Sequence, residues 1–231
     1  RPGAVSTGFE GIYVTKSGTP GQIALVGPDY SVTSRKGDFW FWAGLKVEGT
    51  GWTFTPESVG TDDGETLKDL TGSGTFFAKR SMFGSYKFDD GGSGVWGDLS
   101  YTYENALAVD QASMAGTWGS LDADGMKLTV DAAGAVSGST AGGFGVCSLT
   151  GTVLQRESGT KKNMYSIQLT AANAATGDQK PCAMSAMPFK GAAVIGFSAA
   201  GKYDSNGYYR SLVGLLNTEG YARFGVSLVR Q

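Results

Sequence analysis

Met126-Lys127-Leu128-Thr129-Val130-Asp131-Ala132-Ala133-Gly134-Ala135-Val136-Ser137-Gly138-Ser139 decides the fold class. Two short runs, 126–130 and 135–139, alternate around an Ala133-Gly134 turn. A period of two marks a half-buried strand, and glycine lets the chain reverse between strands. The same grammar repeats at 12–15, 22–26, 30–33, 39–47, 52–55, 74–79, 85–88 and 95–103. It continues at 116–120, 147–155, 164–170, 192–197, 208–216 and 222–229. Turn residues stand between the runs: Pro28-Asp29, Asp63-Gly64, Asp90-Gly91-Gly92, Asp124-Gly125, Asn206-Gly207 and Glu219-Gly220. The chain therefore reads as all-β, in small antiparallel barrels or sandwiches.

One stretch breaks the pattern. Asn105 to Met114 is rich in alanine and free of glycine, with Leu107, Gln111 and Met114 on one helical face. It predicts a turn or two of helix joining two β modules, residues 1–110 and 111–231. Gly11-Ile12-Tyr13 opens the first module and Gly116-Thr117-Trp118 the second. Each opening leads to a second strand and then a turn, at Pro28-Asp29 and Ala133-Gly134, as a decayed duplication would leave them.

Composition narrows the function. There are 37 glycines in 231 residues without a collagen period, which many tight turns and bulges explain. Formal net charge is -2 with 17% charged residues, so nucleic acid is not expected as a partner. The basic pairs Arg35-Lys36, Lys79-Arg80 and Lys161-Lys162 are isolated, and no stretch is apolar enough to span a bilayer. Strands too short and irregular for a lipid-facing barrel argue against outer-membrane insertion. Residues 1–8 do not read as a signal peptide, so export would need a targeting segment ahead of them.

The chain holds no histidine and two cysteines, Cys147 and Cys182. Without histidine, the usual general base near neutral pH and the commonest metal ligand are missing. Ser-His-Asp and Cys-His catalysis are excluded, and Gly91-Gly92-Ser93-Gly94 lacks the lysine and helix of a phosphate loop. The cysteines read as one disulfide in an exported protein, the alternative being two buried thiols in a reducing compartment. No cofactor and no metal site are expected. Asp62-Asp63-Gly64-Glu65, Asp122-Ala123-Asp124-Gly125 and Asp204-Ser205-Asn206-Gly207 have calcium-type oxygens but lack EF-hand spacing, and they equally suit plain turns. Asp62, Asp63, Glu65, Asp89 and Asp90 leave a carboxylate-pair hydrolase open as a minor alternative.

Ala115-Gly116-Thr117-Trp118, the run 127–138, Cys147, Gly151-Thr152-Val153, Asn163-Met164-Tyr165-Ser166-Ile167 and Cys182 together resemble exported lipoproteins of Gram-negative bacteria. The resemblance covers about 115 residues; it implies location more than activity, and it implies that the cysteines are paired. The Gly-Thr-Trp opening is also similar to avidin-type barrels. The stacking tryptophans of their later strands have no counterpart after Trp118, so biotin binding is not carried over.

Phe39-Trp40-Phe41-Trp42 is the boldest candidate site. On a strand the two phenylalanines face one side and the two tryptophans the other. One face fills the core; the other is either covered by the second module or left as an aromatic platform for a glycan or peptide. Trp40, Trp42, Trp52 and Trp96 are the expected recognition residues. The leading expectation is a non-enzymatic, extracytoplasmic binding or assembly module, adhesin-like or part of a surface lipoprotein. A small-ligand carrier with a barrel cavity is the rival.

Overall fold

The structure, a computed structural model, describes residues 8–16, 20–62, 66–121, 125–184, 186–198 and 209–231. The chain divides into two compact units, Arg1–Asn105 and Ala106–Gln231. Each is an antiparallel barrel of eight strand positions.

In the first unit the strands are β1 (Gly11–Thr15), β2 (Gln22–Val26), β3 (Ser31–Lys36), β4 (Phe39–Glu48), β5 (Gly51–Phe54), β6 (Val59–Thr61), β7 (Lys68–Phe77), β8 (Ser81–Phe88) and β9 (Ser93–Tyr101). Nine strands fill eight positions because β5 and β6 share one. Both lie between β4 and β7, but their registers differ by two residues, as Leu45↔Phe54 and Trp42↔Val59 show. Pro56 falls in the gap, where a strand cannot keep its ladder. The buried Ser58 closes that bulge: its hydroxyl accepts from Gly44 N at 3.2 Å and its carbonyl from Leu70 N at 2.9 Å. Pairing of β1 with β9 and of β3 with β4 completes the ring.

The second unit runs β10 (Gly116–Gly119), β11 (Lys127–Val130), β12 (Ala135–Thr140), β13 (Cys147–Gln155), β14 (Tyr165–Asn173), β15 (Phe189–Phe197), β16 (Arg210–Asn217) and β17 (Arg223–Arg230). Each pairs with the next, and β10 returns to β17. The β1–β2 and β10–β11 openings match in detail. Gly11 (φ 146°) and Gly116 (φ 136°) both start their barrels in conformations open to glycine. Two residues on, the Tyr13 hydroxyl donates to Phe9 O and Trp118 Nε1 to Met114 O, each at 2.9 Å. The next turns are alike as well: Gly27 N bonds Ser31 O and Tyr30 N bonds Gly27 O, as Asp131 N bonds Ala135 O and Gly134 N bonds Asp131 O.

The sequence expectation of a short helix at 105–114 is replaced by two single turns of 3-10 helix, Tyr103–Ala106 and Ala112–Met114. Between them the backbone is held by other partners. Val109 N donates to Lys161 O at 3.2 Å, Gln155 Nε2 to Val109 O at 3.1 Å, and the Tyr165 hydroxyl to Asp110 O at 2.6 Å. These bonds satisfy carbonyls that a helix would have used internally. Asn105, in the first unit, binds Ile12 instead: its side chain accepts from Ile12 N and donates to Ile12 O.

Barrel alternation fills both interiors. The first core contains Tyr13, Phe41, Trp52, Leu70, Phe76, Met82, Tyr86, Phe88, Trp96 and Leu99. In the second, Trp118, Leu128, Leu149, Tyr165, Ile167, Phe189, Leu212 and Leu228 lie inward. Cys147 and Cys182 form a disulfide, as expected, and no helix among the described residues is long and apolar enough to cross a membrane. The bridge ties the start of β13 to the segment after β14. That segment is also held by Ala183 N to Phe144 O, 2.7 Å, and Val146 N to Lys180 O, 2.9 Å.

Candidate functional site

The four expected recognition tryptophans separate into two pairs on opposite faces of the first barrel wall. Trp40 and Trp42 point away from the core, as the alternation with Phe39 and Phe41 requires. Their rings stack at 5.9 Å and 19°, and the Arg35 guanidinium lies 5.5 Å from the Trp40 ring. Arg35 and Trp40 are direct partners across β3 and β4, so the register builds this cation–aromatic ladder. Trp40 is nonetheless only 4% exposed, and Trp42 is half-buried.

Trp52 and Trp96 point inward, which corrects the expectation that they join a surface platform. They are 2% and 0% exposed, with ring centroids 6.1 Å apart. Trp52 Nε1 donates to both Thr75 O and Phe83 O at 3.2 Å, and Trp96 Nε1 points at Met82 Sδ, 3.2 Å away. Buried donors satisfied inside the wall belong to a core. The surface reading narrows to Trp42, with Trp40 and Arg35 behind it.

Two of the five carboxylates expected from the sequence, Asp62 and Asp90, form a clamp. Asp62 and Asp90 both pair with Lys68, Asp90 at 2.7 Å, and the ammonium also lies 5.4 Å from the Phe88 ring. The hydrogen bonds that Lys68 donates to the two carboxylates raise its pKa, and the lysine holds Asp90 below its ordinary value. A carboxyl held below its ordinary pKa, as Asp90 is, is poorly suited to general acid work, which needs a raised one. Asp89 is exposed and its backbone N bonds Asp69 O. Asp63 and Glu65 lie outside the described residues, as do 122–124 and the whole of Asp204-Ser205-Asn206-Gly207. Among the described residues no group of three metal-type ligands converges. Gly91-Gly92 belongs to a hairpin turn in which Gly91 N bonds Phe88 O and Phe88 N bonds Gly92 O.

Each unit buries a phenol, Tyr13 in the first and Tyr165 in the second. Burial first, then the Tyr101 and Glu10 charges, pushes Tyr13 well above its ordinary pKa. Burial and the Asp110 charge do the same to Tyr165. Both donate to backbone carbonyls and serve structure.

Grooves occur on the outer surfaces. One of about 550 Å³ runs over β7–β9 along Thr71, Ser73, Ser85, Lys87 and Ser93. Two more lie on the second barrel, of about 480 Å³ and 370 Å³, and Lys190 lines both. The sequence held no sign of these. Their residues come from β7–β9 in one barrel and β13–β16 in the other, and only register brings them together. Comparison with protein-family models, with curated proteins and with solved structures found no match.

Proposed function

We propose that the protein is a non-enzymatic, extracytoplasmic binding or assembly module that meets a macromolecular partner or glycan on the outside of its barrels. The observation that carries this reading is where the large side chains go. Barrels that serve as carriers keep an interior space for the ligand. Here the described interior positions hold Trp52, Trp96, Phe41, Phe76 and Met82 in one unit and Trp118, Tyr165 and Phe189 in the other. Recognition on this reading falls to the exterior, at the half-buried Trp42, the Trp40 ring stacked on it and the Arg35 guanidinium over Trp40.

The disulfide favours an oxidising compartment. Together with the likeness of residues 115–182 to exported lipoproteins, it supports a place in the periplasm or on the outer-membrane surface. The lack of histidine and the pairing of Asp62 and Asp90 with Lys68 support a role without turnover.

The test is binding of the labelled chain to arrays of immobilised glycans and extracellular-matrix proteins. Specific signal is expected, lost in Trp42→Ala and Arg35→Ala while the unfolding midpoint holds. Absence of signal on every surface overturns the reading, as does a loss that merely follows the unfolded fraction.

A further inference from the structure

The hairpin from β7 to β8 reverses over Ala78, Lys79 and Arg80, with Phe77 paired to Ser81 across it. Arg80 N bonds Phe77 O at 3.0 Å, which makes residues 77–80 a β-turn. Lys79 stands at its third position with φ 54°, in the left-handed region where such a turn calls for glycine. At the β3–β4, β4–β5 and β8–β9 turns that conformation falls to Gly37, Gly49 and Gly91. Tyr30 is another exception, and its ring packs on the first core, 6.2 Å from Phe9. Lys79 belongs to no core. Residues 77–80 are all exposed, and among the described residues neither Lys79 nor Arg80 has an ion-pair partner.

Two phenylalanine rings lie beside these cations. Their in-strand neighbours Phe76 and Met82 are fully buried in the core, so Phe77 and Phe83 point outward, 45% and 52% exposed. Phe83 pairs with Thr75 and Phe77 with Ser81, which sets the two rings on a diagonal of one face. Val95 continues that diagonal onto β9, where it pairs with Ser85 and is 54% exposed. Among the described residues neither phenylalanine makes a ring–ring contact. Around the stripe stand the hydroxyls of Thr75, Ser81 and Ser85, and Asp98, opposite Phe83, pairs with Lys16. The Lys79-Arg80 pair, isolated in the sequence, thus gains an apolar flank through strand pairing, in a chain of net charge -2.

We infer that this hairpin docks on an anionic phospholipid surface. Phe77 and Phe83 enter the boundary between headgroups and acyl chains, and Lys79 and Arg80 meet the phosphates. Charge and size select this occupant. Unpaired cations at the tip complement a negative surface, and rings next to them leave water at its apolar margin. A stable protein interface buries about 800 Å² per partner, whereas the three apolar side chains expose only about 300 Å² together. The left-handed lysine fits the same account. A strained residue kept where glycine would relax the turn points to a contact outside the chain.

The experiment is co-sedimentation of the full chain with phosphatidylcholine vesicles prepared with and without phosphatidylglycerol. Binding is expected only with phosphatidylglycerol present, and more weakly at high salt. Lys79→Gly should lower the vesicle affinity about fivefold without lowering the unfolding midpoint, a separation that a merely structural lysine would not show. Phe77→Ser/Phe83→Ser should lower it about tenfold. The inference is overturned if the chain stays in the supernatant with both vesicles, or sediments equally with both. Unchanged affinity in Lys79→Gly or in the phenylalanine variant overturns it too. So does a concentration-dependent dimer that the phenylalanine variant abolishes, which assigns the face to a second copy. The tryptophan reading rests on other residues and is tested on glycans and matrix proteins, so either can fail alone.

Discussion

Trp52 and Trp96 stand in one cross-strand row of the first barrel, separated by the paired glycines Gly74 and Gly84. With no side chains between them, the indoles lean over the glycine pair and meet 6.1 Å apart. A Cβ on Gly84 would come within 2.5 Å of Trp52 Cζ2. Gly84→Ala is therefore expected to destabilise the first barrel by about 2–3 kcal/mol, through overpacking against a ring that cannot withdraw. Urea unfolding followed by tryptophan fluorescence checks this; a change below about 0.5 kcal/mol would refute the packing account.

Removing the disulfide should cost the second barrel roughly 3 kcal/mol, given the sequence separation of 35 between its cysteines. Cys147→Ala/Cys182→Ala and the reduced parent should unfold at similarly lowered urea concentrations. The oxidised protein should weigh two hydrogens less than the reduced one.

The two left-handed tyrosines should respond in opposite senses. Tyr221→Gly relieves backbone strain with no core contact to lose and should raise stability by roughly 0.5–1 kcal/mol. Tyr30→Gly also loses packing on Phe9 and should lower it by about 1 kcal/mol. Equal shifts in the two variants would defeat the distinction.

Stability should be flat between about pH 6 and 9, because no histidine titrates there. On the acid side, Asp90 and Asp110 have folded pKa values below their ordinary 3.8. What they contribute is present above that value and is lost as pH falls through the folded one. On the alkaline side, Tyr13 and Tyr165 are raised from 10.0 and Lys68 from 10.5. Their contribution is complete below pH 10 and lost as pH rises toward the folded values. Urea midpoints across the pH range test this. In Tyr165→Phe the midpoint should be lower near neutrality, for want of the bond to Asp110 O, but should fall less steeply above pH 10.

Much of the fold was legible in the sequence because its signals are local. The turns at Pro28-Asp29, Asp90-Gly91-Gly92, Ala133-Gly134 and Glu219-Gly220 lie where expected, and strand 22–26 is β2 residue for residue. Val59–Thr61 was missed because three residues after a proline carry no period. The strand expected at 74–79 begins six residues earlier, at Lys68, in a stretch whose Gly72 makes room for the Phe54 ring. The Ala-rich linker read as helix because propensity is local, while the bonds to Gln155, Lys161 and Tyr165 that overrode it come from 42 or more residues away.

By itself, then, the sequence determined the all-β class and the opposite facing of Phe41 and Trp40, and it pointed to two modules and one disulfide. All of these follow from alternation, turn chemistry and composition, which act over a few residues. Tertiary structure alone decided which face of each strand became the interior, and so placed Trp52 and Trp96 in the core. It alone set Phe77, Phe83 and Val95 on one diagonal across three strands. Register between strands is fixed by closing the barrel around its packed side chains, and no single strand contains that information.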